Sequence, residues 1–128
     1  EVVPLHLPGH TSDGMGFHIP HLSTLIVGAL LPRADRPTRW DMPGGSLVEV
    51  VDSYKRMKRL NLSSIVPLQG PAIRGESHVR EVLDRHLAFY EEAVRNEGRP
   101  PASWDRPAST AVWLTPRSPW PLEEQEAV

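Results

Sequence analysis

A mixed α/β (α+β) fold is predicted by three features of this 128-residue sequence. The first thirty residues carry short runs of branched, apolar and aromatic side chains, closed by proline or glycine, as strands do. Two later stretches, 46–60 and 77–96, repeat apolar residues at helical spacing. A long segment rich in proline and glycine separates the two patterns. Two amphipathic helix faces need a sheet to cover, and a chain of this length buries roughly two thirds of its unfolded surface.

Taken in order, "VVPLHL" (2–7) and "MGFHIP" (15–20) read as strands on either side of the turn "PGHTSDG". "STLIVGAL" (23–30) follows as a more continuous apolar run, the pattern of a strand covered on both faces. "PRADRPTRWDMPGG" (32–45) has three prolines, two glycines and mixed charges, and so reads as loop. A loop this long inside a compact domain usually serves a site. From Ser46, a plausible N-cap, Leu47, Val50, Val51, Tyr54, Met57 and Leu60 recur on one helix face. "SSIVPLQGPAI" (63–73) predicts a short buried strand from Ile65 to Leu68, ending in a Gly-Pro turn. A second helix from Ser77 to Asn96 presents Val79, Val82, Leu83, Leu87, Tyr90 and Val94, with Gly98 as its stop. His78 and His86 fall in this helix and suit solvated or packing roles.

Residues 98–128 form a different kind of segment, with three of the four tryptophans among six prolines. Only "STAVWLT" has the composition of a strand. The expected division is therefore a folded unit over 1–97 and a Pro/Trp-rich extended arm over 98–128, packed on its own domain or docked on another chain.

Charged residues make up 23% of the chain and the formal net charge is -2, so no general attraction to nucleic acid or an anionic membrane is expected. The longest apolar run, 22–31, is shorter than the ~20 residues of a spanning helix. A soluble, cytoplasmic protein is the expectation. The absence of cysteine excludes disulfides, thiolate metal sites and a cysteine nucleophile. The nucleophile elbow, the Walker loop and the dinucleotide fingerprint are all missing. "MPGGS" (42–46) enters a helix, but Gly and Ser serve turn geometry there and make a weak phosphate loop.

The order of elements, with "LHLPGHTSDGMGFHI" (5–19) and "SSIVPLQGPAI" (63–73), resembles the C-terminal half of the αββα metallo-β-lactamase sandwich over residues 2–97. The first segment is similar to the family's His-Thr-Pro-Gly-His-Thr turn. The second is similar to its Pro-Gly-His-Gly-Pro segment. The resemblance implies a dinuclear metal site built from a His-x-His-x-Asp-His cluster, the turn histidine, a bridging aspartate and a last histidine before Gly-Pro. His10 matches the turn histidine. The aspartate position falls on Ala29, the last histidine on Gln69, and the His-x-His-x-Asp-His cluster has no counterpart.

Alanine offers no donor, and a neutral amide oxygen suits calcium better than zinc. A catalytic zinc needs three protein ligands and an open position. The resemblance therefore implies an eroded site with His10 as its remaining metal-ligand candidate and no assignable catalytic residue. Gln69, His18, Trp40 and Asp41 are the candidate binding residues of the emptied cleft, with His21 and Asp35 bordering it. Arg33, Arg36 and Arg39 give its lip positive charge, offset in part by Asp35 and Asp41.

Half of such a sandwich exposes a sheet face, which implies a partner: a second protein chain supplying the N-terminal half, or a homo-oligomer. The chain starts at Glu1, and it is expected to begin within something longer. The leading expectation is a subunit or binding module holding no metal, with a small-molecule ligand possible in the cleft. The alternative is a metal-dependent hydrolase of an ester, thioester, lactam or phosphodiester. There, a missing N-terminal half supplies the histidine cluster and His10 completes a single zinc or iron site.

Overall fold

Alternation of apolar and polar residues sets the strands of the computed structural model, which describes residues 1–101. In chain order they are β1 (Val3–His6), β2 (Met15–Ile19), β3 (Thr24–Val27), β4 (Ser64–Val66) and β5 (Ile73–Arg74). A short 3-10 turn, Pro20–Leu22, separates β2 from β3. The five strands lie side by side in sequence order. All pairs are antiparallel except β3 with β4, which run parallel. A parallel pair needs a crossover, and here it contains α1 (Leu47–Arg59). The second helix, α2 (Glu76–Arg95), follows β5.

Register decides which side chains face the helices. Leu5 pairs with Gly16, Gly16 with Val27, and Leu25 with both His18 and Ile65, so these residues share one face with Ile73. Leu25, Ile65 and Ile73 are fully buried there. Helix α1 contributes Val50, Val51, Tyr54 and Met57 to that core, and α2 contributes Val79, Val82, Leu83, Leu87, Phe89 and Tyr90. The opposite sheet face carries Met15, Phe17, Ile26 and Val66, each 38–45% exposed. Four apolar side chains in water across three adjacent strands mark a face that no described element covers.

Helix α1 starts where its cap predicts. The Ser46 Oγ accepts from the Glu49 N–H at 3.3 Å, while Arg56, Lys58 and Arg59 occupy the last turn. Such a cap contributes about 1 kcal/mol, and the charges complement the helix dipole. Helix α2 ends as expected, with Gly98 at φ 91 donating to the Ala93 carbonyl at 2.8 Å.

Three expectations are corrected. The run 23–30 is a strand only to Val27, because Gly28 opens a turn closed by the Leu31 N–H; its Ile26 faces outward, so the described residues cover the strand on one face. The strand expected over 65–68 is Ser64–Val66, since Pro67 has no N–H to continue the ladder. Strand β5 is two residues long, below any periodicity signal, and Gly75 at φ 95 starts α2 at Glu76 rather than Ser77. Segment 32–45 is loop, with one isolated bridge between Arg33 and Arg36, yet Ala34, Asp35, Thr38 and Trp40 within it are buried. The Pro/Trp-rich arm expected over 98–128 lies outside the described residues from 102 onward. Among the described residues, no helix is long and apolar enough to cross a membrane.

Candidate functional site

The turn Pro8-Gly9-His10 is held against the start of α1. Gly9 has φ 145, and a Cβ placed on it would lie 2.7 Å from the Val50 backbone, so only glycine fits this approach. The Ser46 N–H donates to the Gly9 carbonyl at 2.8 Å, and the Ser53 hydroxyl donates to the Pro8 carbonyl at 2.7 Å. Helix α1 thereby fixes the direction in which His10 leaves the turn.

The His10 ring is then oriented by the long loop. Its Nδ1 lies 3.0 Å from the Arg39 carbonyl and 3.1 Å from the Thr38 Oγ1. A carbonyl only accepts, so Nδ1 carries a hydrogen, and the neutral tautomer that fits this bond has its lone pair on Nε2. The Thr38 hydroxyl donates onward to the Ala29 carbonyl at 2.9 Å. One threonine thus ties the turn histidine to the end of the β3 segment. A histidine that donates one nitrogen to a carbonyl and presents the other is arranged as metal-binding histidines are.

Thr38 is itself anchored from the core. Its N–H donates to the Tyr90 hydroxyl at 2.9 Å, and that hydroxyl sits 3.3 Å from the His86 Nδ1. The His86 Nε2 donates to the Ala34 carbonyl at 2.8 Å, which leaves Nδ1 as acceptor for Tyr90. Tyr54 stacks on His86 with ring centroids 5.7 Å apart and donates to the Leu30 carbonyl at 2.8 Å. Burial lowers His86 to about 4 and pushes both tyrosines well above their usual values. The three groups are therefore neutral at pH 7 and act as hydrogen-bonding struts between the helices and the loop.

Backbone pairing brings in the last segment. The Leu68 and Gln69 N–H groups donate to the Leu31 and Pro32 carbonyls at 3.1 and 2.8 Å. His10, Ala29 and Gln69 consequently line one open concavity of about 530 Å³, with Arg36, Thr38, Arg39, Met42 and Leu68. Asp41 stands beside it, exposed and paired with Arg39 through contacts of 2.7 and 3.0 Å. Hydrogen bonds from Arg39 hold its carboxyl below the usual value, against a smaller opposing effect of burial.

Two expected cleft residues lie elsewhere. Trp40 is buried against Phe89 and Tyr90, its Nε1 donating to the Gly98 carbonyl at 3.2 Å, because a large apolar ring in this loop packs inward. His18 is half-buried on the helix-facing side of β2, opposite Leu25, and does not line the concavity. His21 is exposed in the 3-10 turn, and Asp35 is buried in an ion pair with Arg33 at 3.1 Å. Thr38, Met42 and Leu68 were not singled out from the sequence. A lone threonine in a loop carries no local signal of the histidine it will orient.

The donor set does not fit a zinc ion by itself. Among the described residues, no group of three or more His, Cys, Asp or Glu side chains is placed to hold a metal. Ala29 has no donor, and Gln69 supplies at most a neutral amide.

No family model matches the chain. An uncharacterized protein of Aquifex aeolicus is 43% identical over 53 residues, which is 41% of this chain and 25% of that protein. The solved structure of TTHA1623 in a di-iron-bound form superposes with a TM-score of 0.52 at 31% identity, covering 57% of this chain and 37% of the other. ETHE1 from Myxococcus xanthus gives a TM-score of 0.58 at 19% identity over 77% of this chain and 47% of its own. The metallo-β-lactamase FIM-1 from Pseudomonas aeruginosa, in its mono-zinc form, gives 0.55 at 21% identity over 72% and 40%. The chain spans a quarter of the curated relative and less than half of each of these structures. Five strands and two helices give the described residues part of a metallo-β-lactamase-like fold, the architecture they share with these structures.

Proposed function

We propose that this chain works as a metallo-β-lactamase-like subunit or binding module whose metal site has eroded, and that a second chain, or a second copy of this one, completes its fold. One observation carries the reading: His10, Ala29 and Gln69 meet in the same concavity, and among the described residues that line it His10 alone offers a zinc-type donor. The open sheet face with Met15, Phe17, Ile26 and Val66 supports a completing partner, because such a patch is costly to leave in water. The partial coverage of the three structures compared above supports the same reading.

A second reading rests on the His10 ring itself. Its Nε2 is presented with Nδ1 held by a carbonyl, which favours a hydrolase whose remaining zinc or iron ligands come from a missing segment or partner. Native mass spectrometry of the purified particle, with metal analysis, separates the two. The first reading expects more than one chain per particle and no stoichiometric metal. About one tightly held zinc or iron per assembly, lost in His10→Ala, overturns it in favour of the hydrolase.

A further inference from the structure

We infer that the concavity below His10 binds a small organic carboxylate bearing an apolar chain, with the Arg36 guanidinium as its anchor. The inference deepens the binding-module reading and rests on it, since a metal in the same space would take the ligand's place.

The loop carries three arginines, of which Arg36 and Arg39 line the concavity, and two of the three are already neutralised. Arg33 pairs with the buried Asp35 at 3.1 Å, and Arg39 pairs with Asp41 at 2.7 Å. Arg36 lines the concavity half-buried, and its side chain has no ion pair or hydrogen bond among the described residues. A guanidinium withdrawn from part of its water and left without a counter-charge favours an anion, and its planar fork matches a carboxylate through two parallel hydrogen bonds.

The rest of the wall sets the ligand's body. Met42 and Leu68 stand 45% and 55% exposed at the concavity, beside Ala29, Pro32 and Pro37. Two exposed apolar side chains at one cleft favour a ligand whose apolar body covers them. The volume of about 530 Å³ lies within the range of small-ligand sites. Among the described residues, Arg36 is the cation of the lining without a counter-charge, so the carboxylate falls to it, and the Gln69 amide NH2 can donate a further hydrogen bond.

The test is calorimetric and NMR titration of the full 128-residue chain at low salt with sodium hexanoate, hexan-1-ol and inorganic phosphate. Hexanoate is expected to saturate and shift the methyl resonances of Met42 and Leu68. Hexanol and phosphate, each lacking half of the recognition, should bind about tenfold more weakly or worse. Arg36→Gln should weaken hexanoate about tenfold, while Arg36→Lys keeps part of the affinity. Equal binding of hexanol and hexanoate by the unaltered chain, unchanged affinity in Arg36→Gln, or no saturation by hexanoate overturns the assignment. A zinc titration of the same sample keeps the two proposals apart. Zinc uptake with hexanoate binding intact refutes the eroded site alone, and failure of hexanoate without zinc uptake refutes the ligand assignment alone.

Discussion

Lowering the pH through the range where His86 takes a proton should destabilise the fold and loosen the loop that orients His10. His86 is fully buried, and desolvation brings it from 6.5 to about 4, against a weaker opposing effect of its bond to the Ala34 carbonyl. Because the folded value is the lower one, the unfolded chain binds more protons between the two values. Stability is therefore complete above pH 6.5 and falls as the pH drops toward 4. At about 1.4 kcal/mol per unit, the shift amounts to about 3 kcal/mol across that window, a large part of a small domain's stability. Asp41, whose folded value lies below 3.8, loses its own contribution only under more acid conditions. Urea unfolding followed by circular dichroism at pH 7.5, 6.5, 5.5 and 4.5 measures the slope, with His86→Gln as the comparison. Carboxylate contributions common to both proteins cancel in the difference. Equal slopes in the two proteins between pH 6.5 and 4.5 would refute the assignment of His86 as a buried neutral strut.

Other perturbations follow from the same geometry. Tyr90→Phe leaves the buried Thr38 N–H without its acceptor and should cost about 1–3 kcal/mol in urea unfolding, with the His10 ring resonances shifted as well. Gly9→Ala forces a Cβ against the Val50 backbone at φ 145 and should cost at least about 2 kcal/mol, read as a lowered thermal midpoint. Ile26→Lys on the open sheet face should change the chain's own stability by less than about 0.5 kcal/mol while abolishing assembly in native mass spectrometry; an intact assembly would place the partner elsewhere.

The helices were legible because their faces repeat over many residues: Val50, Tyr54 and Met57 in α1, and Val79, Leu83 and Tyr90 in α2, are all buried as the spacing predicts. Strand β5 was not legible, since two residues carry no period. For β3, continuous apolarity suits cover on both faces but does not say what supplies the second layer, and no described element lies over Ile26. His10, Ala29 and Gln69 were brought together by a resemblance in motif order, and their common concavity depends on pairings of Leu68 and Gln69 with Leu31 and Pro32 that sequence spacing does not reveal. Trp40 illustrates the limit of loop reading. A loop residue was expected at a cleft lip, but this loop is folded inward, and its largest apolar side chain joined Phe89 and Tyr90 in the core. The Tyr54–His86–Tyr90 network was hidden for a related reason: tyrosine and histidine on an apolar helix face look like filler until the carbonyls of Leu30 and Ala34 are seen beside them.

The eroded-site account is tested most directly by titrating zinc into the purified 128-residue chain against a competing chelator, with His10→Ala in parallel. It predicts that the two proteins behave alike and that neither retains stoichiometric zinc. One zinc held per chain by the unaltered protein and released in His10→Ala would contradict it.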